Sequence, residues 1–201
     1  MSETAAPAGK REQTKAANRA AILDAARHVF ADMGFGAASV RDIVRRTDLA
    51  AGTFYNYFPD KESVLRALLD EVATEVRSRV QAARHAAGTP EAFVADGFRA
   101  YFTYLATEPE LFELMRRNAG TLRAMFDEPA IGAGVEELDA DLRAAIAAGL
   151  VPEHDTAYMA RAMVGAAFEV AVLMLDREPT DVEGAVAFVT RLFLGGLERQ
   201  G

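Results

Sequence analysis

Between Leu49 and Val64 the chain reads LAAGTFYNYFPDKESV, a stretch that gathers Gly52, Thr53, Tyr55, Asn56, Tyr57 and Lys61 around Phe54 and Phe58. Hydroxyls, a carboxamide and an ammonium suit phosphate oxygens and base edges, and Tyr and Thr add apolar contact for thymine methyls. Phe54 and Phe58, four apart, read as the inward anchors of a short helix. That turns Thr53, Asn56 and Tyr57 outward, with Tyr55 at the flank. Gly52 lets a phosphate come close to the backbone, because no side chain stands in the way. Lys61 opens the next helix, where the helix dipole disfavours a cation, so it needs a partner, and a backbone phosphate is a suitable one. An aromatic core helix would account for the two Phe residues but not for the polar groups between them.

Composition excludes much other chemistry. The 201 residues contain no cysteine, which rules out disulfides, thiol nucleophiles and Cys–zinc sites. His28, His85 and His154 are scattered without a second ligand at metal spacing, and no glycine-rich phosphate loop follows a strand pattern. Neither an enzyme nor a cofactor is expected. The N-terminal segment MSETAAPAGKREQTK lacks the apolar core of a signal peptide, and no apolar run reads as a membrane span, so the expected home is the cytoplasm. The net charge is −8, but residues 1–66 carry +2 and residues 67–201 carry −10. A mildly basic end on an acidic body points to nucleic acid at that end.

Helical periodicity runs through almost the whole chain. Ile22, Ala25, Ala26, Val29, Phe30 and Met33 line one face of a helix from Arg19 that stops at Gly34. Ser39 with Asp42 three residues on resembles a capping box and starts a short helix whose inner face is Val40, Ile43 and Val44. A turn at Thr47–Asp48 leads to a second short helix, Ala51–Phe58, ended by Pro59. Asp60 then caps a long helix that reaches about Arg84. Two short helices on a three- or four-residue turn, set between longer ones, form a helix-turn-helix. In that motif the second helix enters the major groove.

The order Ser39, Ile43, Gly52-Thr53, Tyr55, Tyr57-Phe58, Lys61-Glu62 resembles the N-terminal domain of the tetracycline-repressor (TetR) family of bacterial transcriptional regulators, most closely over residues 19–69. The resemblance implies an all-α fold: an N-terminal three-helix DNA-binding domain with a helix-turn-helix, joined to a larger C-terminal helical domain for ligand binding and dimerisation. The implied divisions are a flexible basic arm at 1–17, the DNA-binding domain at 18–66 and the second domain at 67–201. Its DNA-contacting positions fall on Ser39, Arg41, Ala51, Gly52, Thr53, Tyr55, Asn56, Tyr57 and Lys61, with Lys61 as the phosphate lysine. Lys10, Arg11 and Lys15 could add contacts along the minor groove or backbone. The chain departs from the family pattern at Val44, at Thr47-Asp48, and at Ala50, which stands where a capping Ser is usual. Loss of such a cap typically costs about 0.5–2 kcal/mol. Thr47 or Asp48 is the candidate substitute.

Beyond Gly88 no motif of this kind recurs. Helices are expected from Thr89-Pro90, from Pro109 to Gly120, through a segment interrupted near Pro129 and Gly132–Gly134, at about Asp155–Asp176, and at about Asp181–Arg199 behind a Thr180–Glu183 capping box. The first of these last two is apolar around most of its circumference and rich in Ala and Gly, which suits burial on several sides, and the second carries a broad apolar face. By the resemblance they pair with a second copy in a homodimer that reads the two half-sites of a near-palindromic operator in double-stranded DNA. The resemblance also implies a repressor released by a small apolar or amphipathic molecule. Candidate pocket residues are Phe98, Tyr101, Phe102, Met115, Met125, Phe126, Met159, Met163 and Phe168. Glu169 and Arg161 are expected to make polar contacts at a surface or interface. The helix from Asp60 is expected to be the only long connection between the two parts, and so the route of coupling. The alternative reading is a helical adaptor or scaffold that does not read DNA.

Overall fold

The computed structural model describes residues 9–125 and 129–197. Among these residues every regular element is helical: α1 Lys10–Met33, α2 Val40–Val44, α3 Ala51–Phe54, α4 Lys61–Ala86, α5 Pro90–Thr107, α6 Pro109–Arg123, α7 Pro129–Ala147, α8 Thr156–Leu175 and α9 Val182–Leu197. The all-α expectation holds.

Helix α1 starts at Lys10, not Arg19, so residues 10–17 of the expected flexible arm are helical; residues 1–8 lie outside the described part. The segment KREQTKAANRA is made mostly of good helix formers, which extend the helix without burying a face. Burial begins only at Ile22, where the apolar period begins. The capping box before α2 forms as read: Ser39 Oγ accepts from the Asp42 amide at 3.3 Å, and Asp42 Oδ2 accepts from the Ser39 amide at 3.0 Å. Helix α3 is shorter than expected. After Phe54 the amides of Tyr57 and Phe58 both donate to the Phe54 carbonyl, which closes a last tight turn. No side chain caps α3 at Ala50. Thr47 does not substitute, because its hydroxyl donates to the Val44 carbonyl and accepts from the Leu49 amide, which shapes the turn instead.

Ile43, Phe54 and Phe58 are buried in one apolar core with Ile22, Ala26 and Phe30 of α1 and Val64, Leu65 and Leu68 of α4. That core fixes the helix-turn-helix on α1 and on the first turns of α4, whose start is capped by Asp60 Oδ1 accepting from the Ser63 amide at 2.7 Å. Further along, α4 packs on α5 and α7, α5 on α9, and α8 on α7 and α9.

Helix α4 is not the only connection between the two parts, because α1 also packs along α6. Buried Asn118 of α6 donates to the carbonyls of Phe30 and Leu114 at 3.1 and 2.7 Å, and its Oδ1 accepts from the Phe35 amide at 2.6 Å. It thereby satisfies the backbone around the left-handed Gly34, φ +79°, where α1 ends.

Three expectations from the second half are corrected. Helix α7 runs unbroken through Gly132 and Gly134; a helical glycine costs only about 1 kcal/mol, and Gly134 makes room for a neighbour described below. Helix α9 is capped by Asp181, which accepts from the Gly184 amide at 2.8 Å, while Glu183 of the expected capping box pairs with Arg99 at 3.0 Å. Helix α8, at 20 residues and a mean hydropathy of 1.6, does reach the length and apolarity of a membrane span. It nevertheless carries Arg161 and Glu169 and buries Ala160, Met163, Ala171 and Met174 inside the protein, as a core helix does. The expected end of the last helix, 198–199, lies outside the described residues.

Candidate nucleic-acid interface and cavity

The second short helix presents the face that its sequence suggested. Ala51, Gly52, Tyr55 and Asn56 are exposed, Thr53 is half-buried, and Phe54 is fully buried beneath them. Tyr55 is 59% exposed and held edge-on against Phe54, with ring centres 5.4 Å apart. Beyond its chain neighbours and its own helix backbone, no atom of the described chain lies within 4 Å of where a Gly52 side chain would begin, so packing does not require a glycine there. Arg41 and Arg45 of this region are exposed, and Arg46 pairs with Asp32. Ser39 is committed to its cap, and its hydroxyl and amide hold the Asp42 carboxyl below the usual carboxylate range.

Two expected contact residues also have internal partners. Tyr57 is half-buried, and its hydroxyl accepts from Asn18 of α1 at 3.1 Å, so it is not simply outward. Lys61 Nζ donates to the carbonyls of Phe35 and Ala38, both at 2.8 Å, and lies 4.5 Å from the Phe35 ring centre. These carbonyls supply the partner that a cation at a helix N-terminus needs. They also pin the turn between α1 and α2 to α4. An ammonium has three protons, which leaves one for an outside acceptor.

A cavity of about 220 Å³ opens between α4, α5, α6, α7 and α8. Of the nine expected pocket residues, Phe98, Tyr101, Met115, Met163 and Phe168 line it. Phe102 is wholly buried in the core beside it, Met125 and Met159 pack against the core away from it, and Phe126 lies outside the described residues. Tyr101 is walled off from bulk water, which pushes its phenol well above the usual value. Two arginines of α4 also reach this wall. Arg77 pairs with Glu137 at 2.9 Å, and Arg84 pairs with Asp141 at 2.9 Å. Glu169 and Arg161 behave as expected of surface groups: Glu169 is held below the usual range by Arg123 of α6, 2.7 Å away, and Arg161 is exposed.

Residues 22–68 match the family model described as bacterial regulatory proteins, tetR family. Those residues carry the N-terminal domain of that family. Over 90 residues it is 33% identical to the HTH-type transcriptional repressor KstR2 of Rhodococcus jostii, covering 43% of this chain and 44% of that protein. The chain spans about half the length of the curated relatives it matches. Solved structures match it nearly end to end. The fatty acid degradation regulator FadR from Bacillus halodurans superposes with a TM-score of 0.77 at 25% identity, over 96% of this chain and 98% of that one. A tetR-family transcriptional regulator from Pectobacterium atrosepticum gives 0.72 at 26% identity, over 94% and 97%.

Asn18, Asn118 and the two arginines were not legible as functional residues in the sequence. Asn18 and Asn118 bond across 39 and 83 residues, to Tyr57 and Phe35, which no local pattern reveals. The arginines did leave a signal. Leu69, Val72, Ala73, Val76, Arg77, Val80 and Arg84 share one face of α4, so two cations seven residues apart interrupt an otherwise apolar stripe.

Proposed function

We propose that the protein is a homodimeric transcriptional repressor of bacterial cytoplasm, not an enzyme, that binds a near-palindromic operator and is released by a small molecule held in the cavity. Residues 18–66 read the DNA, and residues 67–201 hold the ligand and the partner copy. The observation that carries the reading is the exposed face of Gly52, Tyr55 and Asn56: an unneeded glycine beside a large exposed aromatic and an amide, on the helix that a helix-turn-helix inserts in the groove. Arg41 is exposed, which supports contact with a guanine edge or a phosphate, and Lys10, Arg11 and Lys15 stand exposed along the start of α1. The name of the Bacillus halodurans relative makes an apolar metabolite the first ligand class to try.

The test is fluorescence anisotropy on DNA just upstream of the reading frame, across a salt series, with Tyr55→Ala alongside. A repressor binds that DNA selectively, loses affinity linearly in log salt, and loses selectivity in the variant. If selection from random DNA also yields no preferred sequence, the adaptor reading replaces this one.

A further inference from the structure

The cavity wall is apolar except for a few groups, and the two arginines among them are unusual. Arg84 has a side chain only 8% exposed, and fully buried arginines are rare unless paired. Each guanidinium stem lies on a glycine of a facing helix. A β-carbon on Gly134 of α7 would stand 3.3 Å from Arg77 Cγ, and one on Gly97 of α5 would stand 3.2 Å from Arg84 Cγ. Each guanidinium is then met by a carboxylate of α7, Glu137 and Asp141, four residues apart. Ion pairs out of water contribute little net stability, because desolvation offsets the attraction. What such a pair does offer is exchange: another anion can replace the carboxylate without leaving the cation unpaired, and guanidinium binds carboxylate and phosphate in the same forked way. The Arg77–Glu137 pair, with both side chains about one-third exposed, is the easier to open.

We infer that the cavity takes an amphipathic anion, an apolar chain whose carboxylate or phosphate head binds Arg77 in place of Glu137, with Arg84 adding positive charge two turns along the same wall. This rests on the reading of the cavity as the ligand site. The chain lies among Phe98, Leu105, Leu114, Met115 and Phe168. A cavity of about 220 Å³ admits several methylenes, and an eight-carbon chain is the probe chosen for it. The exchange cuts the Arg77–Glu137 tie between α4 and α7. Because α4 also carries Lys61, which holds the turn before α2, freeing it moves the DNA-facing helices.

The test is calorimetric titration of the full chain with octanoate, octyl phosphate and 1-octanol, repeated on Arg77→Gln and Glu137→Gln. At least one anion binds tenfold or more tighter than the alcohol; octanoate alone or octyl phosphate alone identifies the head. Arg77→Gln loses at least tenfold for the anion and leaves the alcohol unchanged. Glu137→Gln, which removes the competing carboxylate, tightens the anion severalfold, whereas a merely structural pair would weaken it in both variants. The inference is overturned if the alcohol binds as well as the anions, as a neutral ligand anchored on Tyr101 would, or if Glu137→Gln weakens the anion. If none of the three binds while operator binding is intact, the inference fails and the repressor reading stands. Anion binding without any preferred DNA gives the reverse.

Discussion

Gly52 and Lys61 separate contact with DNA from support of the fold. Replacing Gly52 with Ala fills open space and gives the helix a better former, so the fold gains up to about 1 kcal/mol. Under the proposed function the same methyl stands where a phosphate approaches, so operator affinity is expected to drop. Lys61→Ala acts mainly on the fold. It strips a charged donor from two carbonyls, which corresponds to about 1.5–3 kcal/mol for a hydrogen bond to a charged group. Urea midpoints and operator titrations on both variants check this, and a Gly52→Ala protein that is stabler and binds DNA unchanged would remove the phosphate role. The contrast also marks how far local sequence reaches. Phe54, Tyr55 and Asn56 were legible because the side on which each lies follows from helical spacing alone. The internal partners of Tyr57 and Lys61 were not, since Asn18 lies 39 residues away and Phe35 26. The dipole argument revealed only that Lys61 needed some partner.

At the scale of helices, α6 is the element that sequence left without a role. It lines the cavity with Leu111, Leu114, Met115 and Leu122, and one turn from Leu114 its Asn118 holds the end of α1. A ligand that shifts α6 therefore acts on α1 directly, beside the route through α4. Asn118→Ala leaves the Phe35 amide and the Phe30 carbonyl without their partner, at a cost of about 1–3 kcal/mol in the urea midpoint. It also reduces the loss of operator affinity on adding ligand. A variant destabilised by that amount with undiminished release would assign the coupling to α4 alone. The same junction carries a pH dependence. His28 of α1 is raised above its usual 6.5 chiefly by the Asp24 carbonyl, with Glu110 of α6 at 3.0 Å also raising it, while desolvation and Arg46 lower it. A histidine raised on folding contributes stability that is complete below about pH 6.5 and is lost as pH climbs through the raised value. With 39% of the side chain exposed, the effect is at most about 1 kcal/mol. Denaturation midpoints of the native chain fall above pH 6.5, and His28→Gln flattens that fall; parallel curves would dismiss the pair.

For the whole molecule, charge and symmetry work together. A body at −10 repels DNA, so under the proposed function the end at +2 is the one presented to it, and one such end reads one half-site. Reading two half-sites about 34–36 Å apart requires a second copy held at a fixed distance. The surface suited to hold it lies on α8 and α9. Tyr158 and Leu173 of α8 and Phe188 and Leu192 of α9 are more than half exposed, although both helices bury their opposite sides. Phe188 and Leu192 are one turn apart on one face of α9, and an apolar stripe left in water there marks an interaction site. Sequence revealed that α8 is apolar nearly all round and that α9 has a broad apolar face, but not which residues the chain itself covers, because that depends on how α5 and α7 pack beneath them. Phe188→Glu with Leu192→Glu puts two charges on that stripe without touching the core, so helical circular dichroism is unchanged. Light scattering then reports a monomer, and operator affinity falls at least a hundredfold because each half-site must be bound on its own. A variant that stays dimeric with full affinity would move the interface off this face, and with it the geometry by which a shift in α4 or α6 changes the spacing of the two Tyr55 residues.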